Sequence, residues 1–224
     1  VTSLALYNQS FITCITHTYG SKGVAWLEQL PTLIVQCAQK WNLKDLEPFP
    51  NLTYSYVLKG KRGGVHVVLK LRCNQKELKE EIDALQALNK EVSVELMEYD
   101  RELGALLLEQ IIPGISLAEL VPIEDEKATH IAAEIIQHLQ SKNPMVVGHL
   151  PVLEQALPTF DKSPLALASF IPKVQSFKKE LLSTPKMQRI LHGDFHHNNI
   201  LLSQVGWKVI DPKSIVGDVG YDLA

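Results

Sequence analysis

The chain has 224 residues, 46% of them hydrophobic, and a formal net charge of -3, which allows one large domain or two lobes around a cleft rather than a disulfide-stapled miniature. No dense Lys/Arg run offers the surface on which nucleic acid binding depends, and no stretch approaches the roughly 18 to 20 apolar residues that cross a bilayer. Cys14, Cys37 and Cys73 are odd in number, far apart and without a CxxC pair, a pattern that argues against a disulfide framework and for a reducing compartment.

The N-terminus lacks the basic-then-apolar order of a secretory signal, so a cytoplasmic protein is expected. The chain opens on Val1 and stops at Ala224 within what reads as the start of an element; truncation at the C-terminal end is the expectation.

Residues 22 to 41 place Val24, Leu27, Leu30, Ile34, Cys37, Ala38 and Trp41 at spacings of three and four, which predicts an amphipathic helix bent near Pro31. After the Pro48-Phe49-Pro50 break, residues 52 to 58 and 65 to 71 read as the strands of a hairpin, and the second ends on Lys70, a charge among apolar neighbours. The connection at residues 59 to 64 is basic and contains glycine but matches neither GxGxxG nor GxxxxGK[ST], so it reads as a turn. Thr53-Tyr54-Ser55-Tyr56 is the segment expected to cover phosphates.

Residues 76 to 90 carry a helical stripe of Leu78, Ile82, Leu85 and Leu88, and residues 104 to 112 read as an apolar strand closed by the turn Pro113-Gly114. Beyond it helices are expected at 124 to 140, with acidic residues in the first turn, around 151 to 157, and at 164 to 182. Two short apolar runs, 200 to 202 and 207 to 210, flank the turn Gln204-Val205-Gly206.

The densest chemistry lies in His192-Gly193-Asp194-Phe195-His196-His197-Asn198-Asn199, followed by Ile210-Asp211. Phosphoryl transfer from ATP needs a carboxylate beside the acceptor hydroxyl and hard oxygen ligands for Mg²⁺. The Asp-to-Asn step of five, 199 − 194, equals that of the protein-kinase motif H-R-D-x-x-x-x-N. Asp194 is accordingly the candidate catalytic base, with Asn199 and Asp211 as Mg²⁺ ligands beside the nucleotide. Standing alone, Asp194 and Asn199 would read as loop-capping residues. The histidines also raise a zinc hydrolase, but the order H-x-D-x-H-H does not match H-E-x-x-H. His192 reads as a brace for the loop, and His196 and His197 as loop residues near phosphates or substrate.

Lys70 sits where a kinase-like lobe needs a cation for the nucleotide phosphates; alone, it would read as a strand-end lysine reaching water. At about 100° per residue, Glu81 falls near the centre of the apolar helical stripe, Glu80 points away and Glu77 lies at its edge, so Glu81 is the expected partner of Lys70. The strand at Leu106 to Leu108 followed by Glu109-Gln110-Ile111 resembles a hinge whose backbone groups read an adenine edge, which makes Glu109 and Ile111 nucleotide-binding candidates.

Taken together, Trp26-Leu27-Glu28-Gln29-Leu30-Pro31, Val68-Leu69-Lys70-Leu71, residues 105 to 110 with Pro113-Gly114, residues 191 to 202, Asp211-Pro212-Lys213, Gly217-Asp218 and Tyr221-Asp222 resemble the aminoglycoside phosphotransferases. Within them the likeness is to the streptomycin 6-phosphotransferase and aminoglycoside/hydroxyurea resistance kinase group. That resemblance implies an α+β, two-lobed protein-kinase-like fold: a nucleotide-binding lobe of helix and antiparallel sheet at residues 1–111 and a mainly helical catalytic lobe at 112–224. It implies transfer of the γ-phosphate of ATP, with Mg²⁺, to a hydroxyl of an aminoglycoside, streptomycin-type preferred. Alternatives are a kinase of the same fold acting on another small alcohol or hydroxyurea, and a nucleotide-binding remnant. Gly193 stands where protein kinases have Arg, and Pro212-Lys213 replaces Phe-Gly, so a phosphorylation-switched activation loop is not expected.

Overall fold

The computed structural model describes residues 7–50, 52–141, 151–153, 171–183, 188–213 and 215–223. Its first element is the helix α1 (Gln9–Trp41), capped by the Asn8 side chain on the Ser10 N–H. The helix starts well before residue 22, and its break lies at Gly20 (φ 57°) rather than at Pro31, whose backbone stays helical. A left-handed residue interrupts a helix most cheaply where there is no Cβ. The segment before the break is threonine-rich and weak in local propensity, yet Phe11 and Ile15 are fully buried; tertiary packing recruits it.

Five antiparallel strands follow: β1 (Leu43–Pro48), β2 (Ser55–Arg62), β3 (Val65–Arg72), β4 (Leu96–Asp100) and β5 (Ala105–Glu109), in the order β1-β2-β3-β5-β4. The sequence reading anticipated neither β1 nor β4, both of which are edge strands rich in polar residues. It also overextended the hairpin turn: Arg62 pairs with Val65, so residues 59 to 62 belong to β2 and the turn is Gly63-Gly64 alone. Two consecutive glycines with positive φ suit a tight two-residue hairpin connection.

Helix α2 (Gln75–Ala87), capped by Asn74, packs on one face of the sheet and α1 on the other. Alternation along the strands sorts the side chains. Val67, Leu69, Leu71, Ala105 and Leu107 meet α1, while Leu106 and Leu108 meet Leu78, Ile82 and Leu85 of α2. Each such fully buried leucine contributes about 1.5–3 kcal/mol. Because Lys70 lies between Leu69 and Leu71, the same alternation turns it toward α2.

The second half contains β6 (Pro113–Ser116), α3 (Val121–Ser141), α4 (Ile171–Ser183), β7 (Arg189–Leu191), β8 (Ile200–Ser203), β9 (Gly206–Val209) and β10 (Ile215–Gly217). Pro113-Gly114 opens β6, which joins the β8/β9 hairpin in a three-stranded sheet; β7 and β10 form a two-stranded one. Residues 154 to 170, which carry most of the helix expected around 151 to 157 and the start of that expected at 164 to 182, lie outside the described residues. A core of Leu117, Ala128, Ile135, Leu139, Ile190, Ile200, Val209 and Val216 takes in Ala84 and Leu88 from the end of α2. Val209 exchanges backbone hydrogen bonds with Val92 and Val94 at 2.8 and 2.9 Å, fastening β9 to the segment that leads into β4. No helix among the described residues is long and apolar enough to cross a membrane.

Candidate active site

A cavity of about 1200 Å³ lies between the five-stranded sheet and the β8/β9 hairpin, and Lys70, Glu81, Glu109, Ile111, Asp194, Asn199 and Asp211 all line it. At its inner end Lys70 Nζ lies 2.7 Å from Glu81 Oε1 and 2.8 Å from Asp211 Oδ1. Glu81 comes from the buried stripe of α2 and Asp211 from the residue pair just after β9. Chain separations of 11 and 141 residues are thus closed on one ammonium.

Burial raises the Asp211 carboxyl, but Lys70, by charge and hydrogen bond, together with Arg72 and His192 outweighs it and holds the group below the usual carboxylate range. Asp211 itself takes a left-handed φ of 59°, a conformation aspartate tolerates better than most residues. Arg72, two residues on and therefore on the same face of β3 as Lys70, donates to the second Glu81 oxygen, and its other arm reaches Glu77 Oε2 at 3.1 Å. The Tyr19 hydroxyl donates to Glu77 Oε2 at 3.0 Å, tying α1 to this network. The period of two along β3 could have picked out Arg72; no local pattern marks Tyr19.

Asp194 follows β7 in a loop held from three sides. The Asp222 carboxylate accepts the N–H groups of His192 and Gly193, each at 2.8 Å. Asp222 is placed by a short 3₁₀ turn, Val219–Tyr221, that the Asp218 side chain caps. Burial pushes the Asp222 carboxyl up, against the two N–H donors that favour its ionised form. His192, fully buried, donates from Nε2 to the Ile210 carbonyl at 2.8 Å, so Nδ1 is the acceptor for the Asp194 N–H at 3.3 Å. Burial lowers its pKa to about 4, and a neutral imidazole suits this one-donor, one-acceptor bridge.

Asn199 Nδ2 donates to the Asp194 carbonyl at 3.0 Å, leaving its Oδ1 for other partners, and the Ile210 N–H donates to the Asn199 carbonyl at 2.9 Å. That backbone bond closes the β8/β9 hairpin and sets Asp211 beside Asn199. His196 lines the cavity and approaches Asp194 to 3.9 Å. His197 does not line it: its Nε2 is buried and its carbonyl accepts the Ser116 hydroxyl at 3.0 Å, because the 3₁₀ turn at His197–Asn199 points adjacent side chains in different directions. Lys213 Nζ lies 3.0 Å from Asp194 Oδ2, a contact the sequence reading missed although it quoted Asp-Pro-Lys as a motif.

At the hinge, the Glu109 side chain accepts the Glu95 N–H at 2.8 Å and pairs with Lys208 of β9. Its carboxylate is therefore committed to fastening the hinge, and any reading of a base edge falls to the backbone. The Ile111 N–H has no backbone partner among the described residues.

Residues 40–224 match the family described as aminoglycoside/hydroxyurea antibiotic resistance kinase. The chain is 30% identical to a streptomycin 6-kinase of Streptomyces griseus across 91% of this chain and 68% of that protein. It is 29% identical to a hydroxyurea phosphotransferase of Kitasatospora aureofaciens across 91% of this chain and 62% of that protein. In structure it resembles a thermostable mutant of aminoglycoside phosphotransferase APH(4)-Ia solved in a ternary complex with ADP and hygromycin B. The TM-score there is 0.63 and the identity 15%, with 84% of this chain and 74% of that one covered. The fold is accordingly the α+β one of the aminoglycoside phosphotransferases.

Proposed function

The chain belongs to the aminoglycoside/hydroxyurea antibiotic resistance kinase family, and from that premise we propose that it transfers the γ-phosphate of ATP to a hydroxyl of an aminoglycoside antibiotic, streptomycin-type in preference. The observation that carries the proposal is the meeting of Lys70, Glu81 and Asp211 within 2.8 Å contacts in the cavity that Asp194 also lines. At about 1200 Å³ that cavity exceeds the roughly 300–1,000 Å³ of a single drug-sized ligand, a size that supports a nucleotide and an acceptor binding together.

In this reading Lys70, oriented by Glu81, binds the α- and β-phosphates, and the backbone of Glu109 and Ile111 takes the base edge. Asp194 accepts the proton of the acceptor hydroxyl as that oxygen bonds to the γ-phosphorus; the bond from phosphorus to the bridging oxygen breaks, and ADP leaves. Mg²⁺ suits the donor set: Asn199 Oδ1 and the ionised Asp211 are hard oxygen ligands beside the phosphate position, and Mg²⁺ commonly takes one or two such groups and completes its shell with phosphates and water. Bound there, the ion supplies charge neutralisation between the phosphates. The division at residues 111 and 112 into a nucleotide-binding and a catalytic lobe, and a cytoplasmic location, belong to the same proposal.

The test is ATP- and Mg²⁺-dependent phosphorylation of streptomycin by the purified protein, followed by mass spectrometry, with chelation of Mg²⁺ abolishing it. Hydroxyurea belongs in the same assay, because a relative of nearly equal identity carries the name hydroxyurea phosphotransferase. Turnover of hydroxyurea alone would move the substrate assignment to it; no turnover with any hydroxylated acceptor would sink the proposal.

A further inference from the structure

The described part of the cavity offers more than one cation, and they differ in how firmly they are held. Lys70 is 3% exposed and bound to two carboxylates, and Arg72 is bound to Glu81 and Glu77. Lys213 differs from both: its side chain is 60% exposed, it lines the cavity, and its ionic partner among the described residues is Asp194 Oδ2 at 3.0 Å. An ion pair this open to water is worth about 0–1 kcal/mol, so it yields readily to a stronger anion.

The backbone, by contrast, fixes where that ammonium starts. Asp211 turns the chain through φ 59°, Pro212 restricts the next torsion, and the Lys213 N–H donates to the His192 carbonyl at 2.7 Å. A Cβ built on Gly193 would stand 3.3 Å from Lys213 Cβ and 3.0 Å from Ile215 Cδ1. A side chain at Gly193 would crowd Lys213, so the glycine leaves it room beside the Asp194 loop.

We propose that Lys213 is a catalytic cation that leaves Asp194 for the terminal, transferring phosphoryl group when the nucleoside triphosphate is bound. This rests on the kinase reading above. An attacking hydroxyl must come within about 2.6–3.2 Å of the base that takes its proton, so an ammonium one hydrogen bond from the same carboxylate stands at the reacting atoms. While the cavity is free, the ion pair with Lys213 holds the Asp194 side chain in place. When the triphosphate enters, its terminal phosphate draws the ammonium from Asp194 to the equatorial oxygens of the phosphoryl group, where charge has to be met during transfer, and Asp194 is left to the acceptor hydroxyl. Lys213 stays protonated throughout, and the hydroxyl proton goes to Asp194. Lys70 and Lys213 thereby divide the triphosphate, the buried lysine on the inner phosphates and the exposed one on the terminal phosphate.

The experiment compares Lys213→Met and Lys213→Arg with the wild type in two measurements. The first is calorimetric binding of Mg-ADP and of Mg-AMP-PNP, which needs no acceptor and no turnover. Preference for the triphosphate analogue over the diphosphate should fall about tenfold in Lys213→Met and be largely restored in Lys213→Arg, while ADP affinity holds. The second is steady-state transfer, where kcat should fall on the order of 100-fold in Lys213→Met with KM for ATP rising as triphosphate binding weakens. An unaltered triphosphate preference in Lys213→Met overturns the assignment. Failure of the wild type to phosphorylate any acceptor counts against the kinase reading instead, and the binding ratio still decides the place of Lys213.

Discussion

Lys70 and Glu81 face each other at 2.7 Å, Nζ to Oε1, with side chains only 3% and 2% exposed. A pair so removed from water is held by geometry, since the loss of hydration offsets much of the Coulomb attraction. Its consequence is orientation: a lysine tethered on one side by Glu81 and on the other by Asp211 can present its remaining proton in one direction only.

Glu81→Leu should therefore lower stability by up to about 3–5 kcal/mol, because it takes one of two carboxylates from each of the buried charges of Lys70 and Arg72. Urea unfolding read by tryptophan fluorescence measures this. Glu80→Leu, one residue earlier in the same helix with a 24% exposed side chain paired to Lys76, serves as the comparison and should shift the midpoint less.

Asp194→Asn keeps the shape of the side chain, 33% exposed, and removes its basicity. Transfer to the acceptor should drop by about 10²–10⁴-fold while Mg-ATP binding and the melting temperature stay near wild type. Wild-type turnover in this variant would remove Asp194 from the role of base.

His192 predicts a pH dependence of stability. Its folded pKa, about 4, lies below its ordinary value of 6.5, so the unfolded chain binds this proton more tightly. The stabilisation from the neutral ring is complete above pH 6.5 and drains away as pH falls toward 4, by up to about 1.4 kcal/mol per pH unit. Asp222, whose carboxyl is pushed up by burial, works in the opposite sense and gains stability as it protonates. Comparing urea midpoints from pH 7 to 4.5 for wild type and His192→Asn isolates the histidine: the wild-type decline should be steeper. Parallel curves would assign the decline to other groups.

Asp222→Ala should free both N–H donors at the base of the Asp194 loop. Each hydrogen bond to a charged group is worth about 1.5–3 kcal/mol, so a loss of that order in stability is expected, together with a fall in kcat as the loop loses its fixed geometry. Asp222→Asn, which keeps one acceptor oxygen, should lie between, and the order of the three proteins in kcat is the measured quantity.

Gly193→Ala tests the close approach behind Asp194. The residue has φ +77°, and an added Cβ would come within 3.0 Å of Ile215 and 3.3 Å of Lys213. Strain and crowding together should remove about 1–3 kcal/mol of stability and displace Lys213, so transfer should fall more than nucleotide binding does.

By itself, the sequence determined the elements whose signals are local. The stripe of α2, the β2/β3 and β8/β9 hairpins and the apolar strand β5 are written as periodicities and turns, and the five-residue step from Asp194 to Asn199 is a spacing. Even the choice of Glu81 over Glu80 and Glu77 followed from helical geometry, because burial of one face fixes which carboxylate looks inward.

What only the tertiary structure decided is everything that depends on distant segments meeting. The polar edge strands β1 and β4 exist because β2 and β5 offer them backbone partners. The first turns of α1 exist because Phe11 and Ile15 find a core. Lys213 at Asp194, Asp222 under His192 and Gly193, and Tyr19 at Glu77 join chain segments through one or two polar contacts each. Such contacts carry no periodicity and so leave no trace in the order of residues. The sequence named the groups that could do the chemistry; the packing of β7, β10 and the β8/β9 hairpin set the distances between them.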